Sequence, residues 1–288
     1  MAEPKRAFVT GSSGFIGKHL VQRLKQAGWE VTGYDLKEGN DILDWDNLLK
    51  SMKGANVVVH LAAEKSVPKS WAKYARFYEV NITGTHKVLH AAFGWQVNKV
   101  IFISSSSAKT PISPYGVSKR AGEHLAKIFN DSSDSMKVIS ARLFNVFGPG
   151  QLADDPYSAV IPRFITELLN GKQPIIHGDG KQSRDFTYVE DVCNAIYKLC
   201  ESDFSGNFYE IGYGSSTRIL DLALKISKIL KIQNLEFLIG NRRDGDIDQS
   251  IADQKLMLGI TWDKVGFEEG LRRTVEWYKN ESLLPVLR

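Results

Sequence analysis

The sequence predicts an α/β protein built on a doubly wound parallel sheet, with a smaller α/β region after it. Three observations carry this expectation. Short β-branched runs alternate with amphipathic segments through the first half, the rhythm of parallel strands joined by crossover helices. Two of the runs, Val57-Val58-Val59 and Val100-Ile101-Phe102-Ile103, are apolar at every position, as strands covered on both faces should be. After Leu143 the rhythm breaks at Gly148-Pro149-Gly150 and His177-Gly178-Asp179-Gly180, stretches that mark shorter elements.

In chain order, strands are expected at Ala7 to Thr10, Glu30 to Asp35, Val57 to Leu61, Val100 to Ser104 and Val138 to Leu143. Helices fall between them near Ile16 to Ala27, Trp45 to Met52, Asn81 to Gly94 and Tyr115 to Asn130. Pro114 suits the opening of the last helix, because its missing N–H would be unpaired in a first turn anyway.

A chain of 288 residues can bury a large core in one big domain or two modest ones. Its 37 Lys and Arg against 33 Asp and Glu give a net charge of +4, too even to argue for nucleic acid or a membrane surface, while a phosphorylated small molecule fits. Cys193 and Cys200 lie seven apart on an expected helix and read as reduced core residues. The first apolar run, Ala7 to Thr10, is too short for a signal-peptide core and no segment approaches a membrane span, so a soluble cytoplasmic protein is expected. His86 and His90 are i, i+4, but Lys87 stands where a metalloprotease helix carries glutamate, so no metal is expected.

The first strand runs into Thr10-Gly11-Ser12-Ser13-Gly14-Phe15-Ile16-Gly17, a G-x-x-G-x-x-G turn that opens a helix. Gly11 permits the tight turn, Gly14 lets backbone approach a pyrophosphate at the helix N-terminus, and Gly17 allows close helix-to-strand packing. Asp35 ends the second strand, where a carboxylate accepts hydrogen bonds from ribose hydroxyls and repels a 2′-phosphate. This favours NAD over NADP; an ordinary strand-end turn is the other reading of Asp35.

Ser104-Ser105-Ser106-Ser107 followed by Pro114-Tyr115-Gly116-Val117-Ser118-Lys119 brings a hydroxyl, a phenol and an ammonium within reach of one reacting atom. Tyr115 and Lys119 share a helix face, and the ammonium favours the phenolate, so Tyr115 can serve as a general base. Alone, the pair would read as ordinary exposed helix residues; beside a dinucleotide turn it reads as chemistry.

With these residues the chain resembles the extended short-chain dehydrogenases, specifically the NAD-dependent epimerase/dehydratase family, over nearly its whole length. The likeness includes Asp41-Ile42, His60-Leu61-Ala62-Ala63, Asn81-Ile82-Thr83-Gly84-Thr85, Arg142 to Pro149, Gly178 to Phe186 and Arg243-Asp244-Gly245-Asp246. The resemblance implies a Rossmann-type sheet holding NAD, with 1–145 and 185–213 as the NAD-binding domain and 146–184 and 214–288 as the nucleotide-sugar domain. It places the cofactor against Gly11, Gly14, Phe15, Ile16, Gly17, Asp35, Asp41, Ile42, Leu61, Ala62, Ala63, Asn81 and Phe144, besides Tyr115 and Lys119. Lys65 falls where sugar epimerases place a lysine on the cofactor; a solvated face with Lys69 and Lys73 is the other reading.

The resemblance also assigns the catalytic hydroxyl to Ser105, with Ser106 as the alternative, and joins it to Tyr115 and Lys119. It implies a nucleotide-diphosphate sugar as substrate, contacted by Asn145 and gripped by Arg184 and Arg243, since guanidinium pairs with diphosphate oxygens through two parallel hydrogen bonds. Salt bridges of the two arginines with Asp185 or Asp244 are the other reading. Two departures stand out: Ala108-Lys109-Thr110 replaces the family's usual Val-Tyr-Gly, and the segment leading to Tyr115 is short.

Dehydratase members follow the catalytic hydroxyl with an Asp-Glu pair, and decarboxylating members carry a nearby glutamate; here Ser106-Ser107 follow. What remains is oxidation at a sugar carbon and return of hydride to its other face. The expected activity is a UDP-hexose 4-epimerase working through a transient 4-keto intermediate. Ser250, where some 4-epimerases have a bulky tyrosine, leaves room for N-acetylated sugars, unless it is a plain loop residue. An NAD-dependent sugar or alcohol dehydrogenase and a non-catalytic NAD-sensing regulator are the competing readings. The resemblance further implies a homodimer packed through the helices beginning near Asn81 and Tyr115.

Overall fold

The computed structural model describes residues 4–153, 159–203, 207–242, 246–257 and 263–283. The first half gives β1 (Arg6–Thr10), α1 (Phe15–Gln26), β2 (Glu30–Tyr34), α2 (Trp45–Met52), β3 (Val57–His60), α3 (Val67–Ala72), α4 (Tyr74–Tyr78), α5 (Thr85–Gly94), β4 (Lys99–Ser105), α6 (Pro114–Asp131) and β5 (Lys137–Leu143). Then come β6 (Val146–Phe147), α7 (Val160–Leu169), β7 (Ile175–His177), β8 (Ser183–Arg184), β9 (Thr187–Tyr188), α8 (Val189–Glu201) and β10 (Phe208–Ile211). The chain continues through β11 (Thr217–Arg218), α9 (Ile219–Leu230), β12 (Leu238–Gly240), β13 (Gln249–Ser250) and α10 (Phe267–Leu283). It divides into two compact units, one of Met1–Leu143, Val192–Ile211 and Asp253–Trp262, the other of Phe144–Asp191, Gly212–Ala252 and Asp263–Arg288.

The first unit is a parallel six-stranded sheet in the order β10-β5-β4-β3-β1-β2. The apolar strands do what their sequence requires: all of Val57–His60 and all of β4 except Ser105 are buried. The chain steps from β1 outward to β2 and then crosses back to β3 on the other side of β1, so the strand order reverses between β1 and β3, the place where such sheets bind ligands. Local signals start the helices. Asp44 Oδ1 accepts from Asn47 N–H at 3.2 Å to cap α2, and Ser113 Oγ accepts from Gly116 N–H at 3.1 Å to cap α6, which Pro114 opens. One core cluster lies between the sheet and the helices, joining Phe8, Val58, Val100 and Phe102 to Leu48, Val88, Leu89 and Ala126.

The helix expected from Asn81 differs in its first turn. Glu79–Gly84 is a π-helix, and the α-helix proper begins at Thr85, whose hydroxyl bonds back to Asn81 O at 2.7 Å. The sequence reading also passed over the sixth strand, β10, which pairs in parallel with β5. Both cysteines are buried and outside any disulfide, and burial pushes the Cys200 thiol up to about 12, so it packs as a small apolar group.

The second unit has only short ladders: β11-β8-β13, β12-β7 and β6-β9. Two buried carboxylates hold its loops. Asp185 accepts the N–H groups of Tyr213, Gly214 and Ala252 at 2.9, 2.8 and 3.2 Å. Asp191 accepts those of Val265 and Gly266 at 2.8 and 2.9 Å, and the Tyr213 hydroxyl. No helix among the described residues is long and apolar enough to cross a membrane.

Candidate active site

At the end of β1 the chain turns through Gly11 with φ +71°. A Cβ there would lie 2.7 Å from Ala62 N, so the glycine turn and the loop after β3 touch at backbone level. Gly14 caps α1 with extended backbone and no side-chain hydrogen bond, which leaves the first-turn N–H groups of α1 pointing outward for an anion. A Cβ on Gly17 would stand 2.1 Å from Gly11 O, so only glycine keeps this turn closed against the helix. Gly17→Ala is expected to cost about 1–3 kcal/mol and to weaken dinucleotide binding; thermal unfolding and an NAD titration read both, and two unchanged values contradict it.

Asp35 Oδ2 accepts from Ser13 N–H at 2.9 Å and Oδ1 from Lys37 N–H at 2.9 Å, so the carboxylate is fixed beside the glycine turn. Each oxygen keeps a further lone pair for a ribose hydroxyl. Asp41 Oδ1 takes Leu43 N–H at 2.9 Å, and Ile42 lies buried where a Cβ on Gly84 would meet its Cδ1 at 2.5 Å. Phe15 and Ile16 are half-buried at the start of α1, Leu61, Ala62 and Ala63 are half-buried after β3, and Lys65 is exposed. An uncapped helix N-terminus, a glycine turn no Cβ could enter and an anchored acceptor at the sheet's reversal point fit a dinucleotide.

A buried hydrogen-bond chain that the sequence reading missed sets the loop after β3. Thr85 Oγ1 spends its hydrogen on Asn81 O, so it must accept from His60 Nε2 at 3.0 Å; His60 Nδ1 then accepts from Thr10 Oγ1 at 2.7 Å. Thr10 Oγ1 in turn accepts Ala62 N–H at 3.2 Å. Burial, helped by the Lys119 charge, pushes His60 down to about 3, so it is a fixed neutral linker and not a proton carrier. Asn81 is also a linker. Its amide donates to Glu64 O and Ser118 Oγ at 3.0 and 2.9 Å and accepts Glu64 N–H at 2.8 Å, so both donors are spent within the protein.

The serines divide their tasks. Ser104 Oγ donates to Glu123 at 2.7 Å and is buried. Ser105 Oγ accepts Ser107 N–H at 3.2 Å, capping the short 3₁₀ turn Ser106–Ala108, and its hydroxyl favours the charged form of the Tyr115 phenol. Ser106 is half-buried beside it. Burial raises the Tyr115 phenol above its ordinary value despite the Ser105 hydroxyl, so the pull toward phenolate read from the Tyr-x-x-x-Lys spacing does not win by itself. Burial pushes Lys119 down to about 8 while Glu123 holds it up, and its ammonium lies 4.8 Å from the Phe102 ring centroid.

In the second unit, Arg184 pairs with Asp246, not with Asp185, and its Nη1 donates to Ser183 O at 2.8 Å. Ser250 is buried on β13, in register with Arg184 on β8. Asn145 adopts φ +29° and donates to Asp185 O at 3.1 Å; Phe144 before it is buried. Arg243 lies outside the described residues.

A cavity of about 560 Å³ lies at the opposite, N-terminal edge of the six-stranded sheet, lined by Trp29, Val57, Lys99, Lys137 and Cys200. It is away from the motifs, which all follow strand C-termini. There Lys99 Nζ closes the end of α8 on the carbonyls of Leu199, Cys200 and Ser202 at 3.2, 3.1 and 2.7 Å.

The model of the NAD dependent epimerase/dehydratase family matches residues 7–212, from β1 to the end of β10. The chain belongs to this family. It is therefore an enzyme of the NAD-dependent nucleotide-sugar epimerase and dehydratase group, and its cofactor is NAD. Among solved structures it is similar to UDP-N-acetylglucosamine 4-epimerase from Methanobrevibacter ruminantium M1 in complex with UDP-N-acetylmuramic acid. That likeness is 35% identical, covers 97% of this chain and 100% of that one, and has a TM-score of 0.88. Among family sequences it is 31% identical to a putative UDP-glucose 4-epimerase of Methanocaldococcus jannaschii, over 95% of this chain and 98% of that one. It is also 29% identical to dTDP-D-glucose 4,6-dehydratase of Bos taurus, over 96% and 89%. The family therefore fixes the cofactor and leaves the reaction open between epimerisation and dehydration.

Proposed function

We propose that the protein is a nucleotide-sugar 4-epimerase acting on UDP-hexoses, N-acetylated forms included. The observation that carries the reading is what surrounds Ser105. Ser106 and Ser107 follow it where elimination would need an acid and a base, and the buried carboxylates of Glu123 and Glu210 are committed to Arg142. Proton exchange at one hydroxyl is what this set can do.

NAD, held by the glycine turn and Asp35, supplies the hydride acceptor and donor. Tyr115 takes the proton of the sugar 4-hydroxyl and later returns one. Ser105 holds that oxygen by a hydrogen bond, and the Lys119 ammonium stabilises the phenolate as it forms. Arg184 and Arg243 take the diphosphate, Asn145 the neighbouring polar groups, and Ser250, small where some 4-epimerases have a tyrosine, admits an acetamido group. Lys65, exposed and one residue after Glu64, reaches the cofactor. Homodimers form through α5 and α6, whose exposed Phe93, Val117 and Ile128 suit an apolar contact.

Incubation with UDP-, GDP- and dTDP-sugars and separation of the products tests the reading: UDP-glucose and UDP-galactose interconvert, as do UDP-N-acetylglucosamine and its 4-epimer, and no NADH accumulates. Steady growth of NADH absorbance contradicts it and favours a dehydrogenase. The pH profile is a second check. Activity falls as pH rises through about 8, where Lys119 loses its proton. Stability runs the other way: the folded value lies below the unfolded one, so the penalty of burying this ammonium is present below about 8 and fades as pH rises above it. A kcat profile flat through that range contradicts the role of Lys119.

A further inference from the structure

Tyr115, Lys119 and Glu123 stand at i, i+4 and i+8 along one face of α6. The third of them is buried and clamped. Its Oε1 accepts from Ser104 Oγ at 2.7 Å and Arg142 Nε at 2.9 Å, and its Oε2 from Arg142 Nη2 at 2.8 Å and Arg120 Nη1 at 3.2 Å. Arg142 continues through Nη1 to Glu210 Oε1 at 2.8 Å. The other Glu210 oxygen takes Lys109 Nζ at 3.3 Å and Asp253 N–H at 2.7 Å.

Burying such charges is costly, and apolar residues of similar volume often give equal or greater stability. Stability alone is therefore a weak reason for this cluster. Its ends suggest a stronger one. Ser104 directly precedes Ser105, whose hydroxyl acts on the Tyr115 phenol, and Lys109 ends the 3₁₀ turn that Ser105 caps. The shortened segment between the serines and Tyr115 is thus tied at both sides to one ionic relay.

We propose that Glu123 is a positioning residue of this site: its clamped carboxylate presents a fixed negative charge to the Lys119 ammonium and, through Ser104 and the Arg142-Glu210-Lys109 relay, holds the serine run against Tyr115. The inference rests on Tyr115 and Lys119 being the proton-transfer pair. Around Lys119, His60 on β3 is neutral, Phe102 on β4 offers a ring face, and Arg142 on β5 and Glu210 on β10 are tied to each other. Arg120 on α6 and Lys109 reach the same carboxylates from solvent. Among the described residues Glu123 is the carboxylate whose charge acts on Lys119.

The test uses the full-length protein loaded with NAD and carrying 13Cε-labelled lysine, with Lys119 assigned by its loss in K119M. Wild type titrates near 8, and E123Q titrates about one unit lower. E123D, which keeps the charge, restores the midpoint to within about half a unit. At pH 8 such a fall leaves about a tenth of Lys119 charged instead of half, so kcat with UDP-glucose drops about fivefold. An unchanged midpoint in folded E123Q overturns the proposal. If E123Q does not fold, E123Q/R142Q, which keeps Glu210 matched by Lys109, is read the same way: a lower midpoint supports the proposal and an unchanged one overturns it. The titration needs no sugar, so a protein that shows the shift but turns over no nucleotide sugar sinks the epimerase reading and leaves Glu123 in place.

Discussion

Tyr115→Phe lowers kcat by about 10²- to 10⁴-fold, the range a single general base supplies. The substitution removes one oxygen. The Phe77 ring, whose centroid lies 6.2 Å from that of Tyr115 in an edge-on arrangement, meets the same ring afterwards, so folding is expected to be preserved. What is lost is the phenol oxygen at the start of α6. Because burial holds the phenol up, the phenolate exists only where positive charge offsets that burial, and Lys119 is the nearest source along the helix face. NAD affinity should stay within about threefold, since the glycine turn and Asp35 are untouched; steady-state rates and a fluorescence titration of NAD separate the two. Unchanged turnover of every nucleotide sugar would remove Tyr115 from the mechanism.

Arg142→Met carries the largest expected loss of stability. The guanidinium makes a two-bonded contact with Glu123, a further bond to Glu210, and lies 4.6 Å from the Phe208 ring centroid. Without it two buried carboxylates remain, matched among the described residues by Lys109 and Arg120, whose side chains are about half exposed. Breaking a buried pair from one side costs about 3–5 kcal/mol, a fall in Tm on the order of 10 °C for a chain of this length. Lysine at the same place keeps the charge but not the fork, and should recover only part of the loss. Calorimetry on the two variants checks the order; a Tm unchanged in Arg142→Met would mean the cluster is not a buried charge network.

What the sequence disclosed and what it hid follow the range of the interactions. The glycine turn, Asp35 and the Tyr-x-x-x-Lys pair are local patterns, and the strands around them could be placed because sterically demanding, apolar residues mark them. The π-turn at Glu79–Gly84 was hidden because it depends on the Thr85 hydroxyl, His60 and Asn81, which meet only in the fold. Glu123 reads as one more charge on an exposed helix until Arg142, 19 residues away, and Ser104 close on it. Arg184 is expected on the diphosphate, with a salt bridge to Asp185 or Asp244 as the other reading; the carboxylate it pairs with is Asp246, 62 residues on. Asp185 faces a cage of backbone N–H groups instead, which no spacing rule encodes.

The departure of this chain from its family, Ala108-Lys109-Thr110 before a short link to Tyr115, also acquires a physical meaning. Lys109 extends to buried Glu210, so the trimmed segment is anchored by charge.

Epimerisation oxidises one sugar carbon and then reduces it from its other face. UDP-glucose carrying deuterium at C4, with the product analysed by NMR, follows that hydrogen. The expected product is UDP-galactose with the deuterium still on C4, no solvent hydrogen at neighbouring carbons and no accumulated NADH. A 4-keto-6-deoxy product with solvent hydrogen at C5, or steady release of reduced cofactor, would contradict epimerisation.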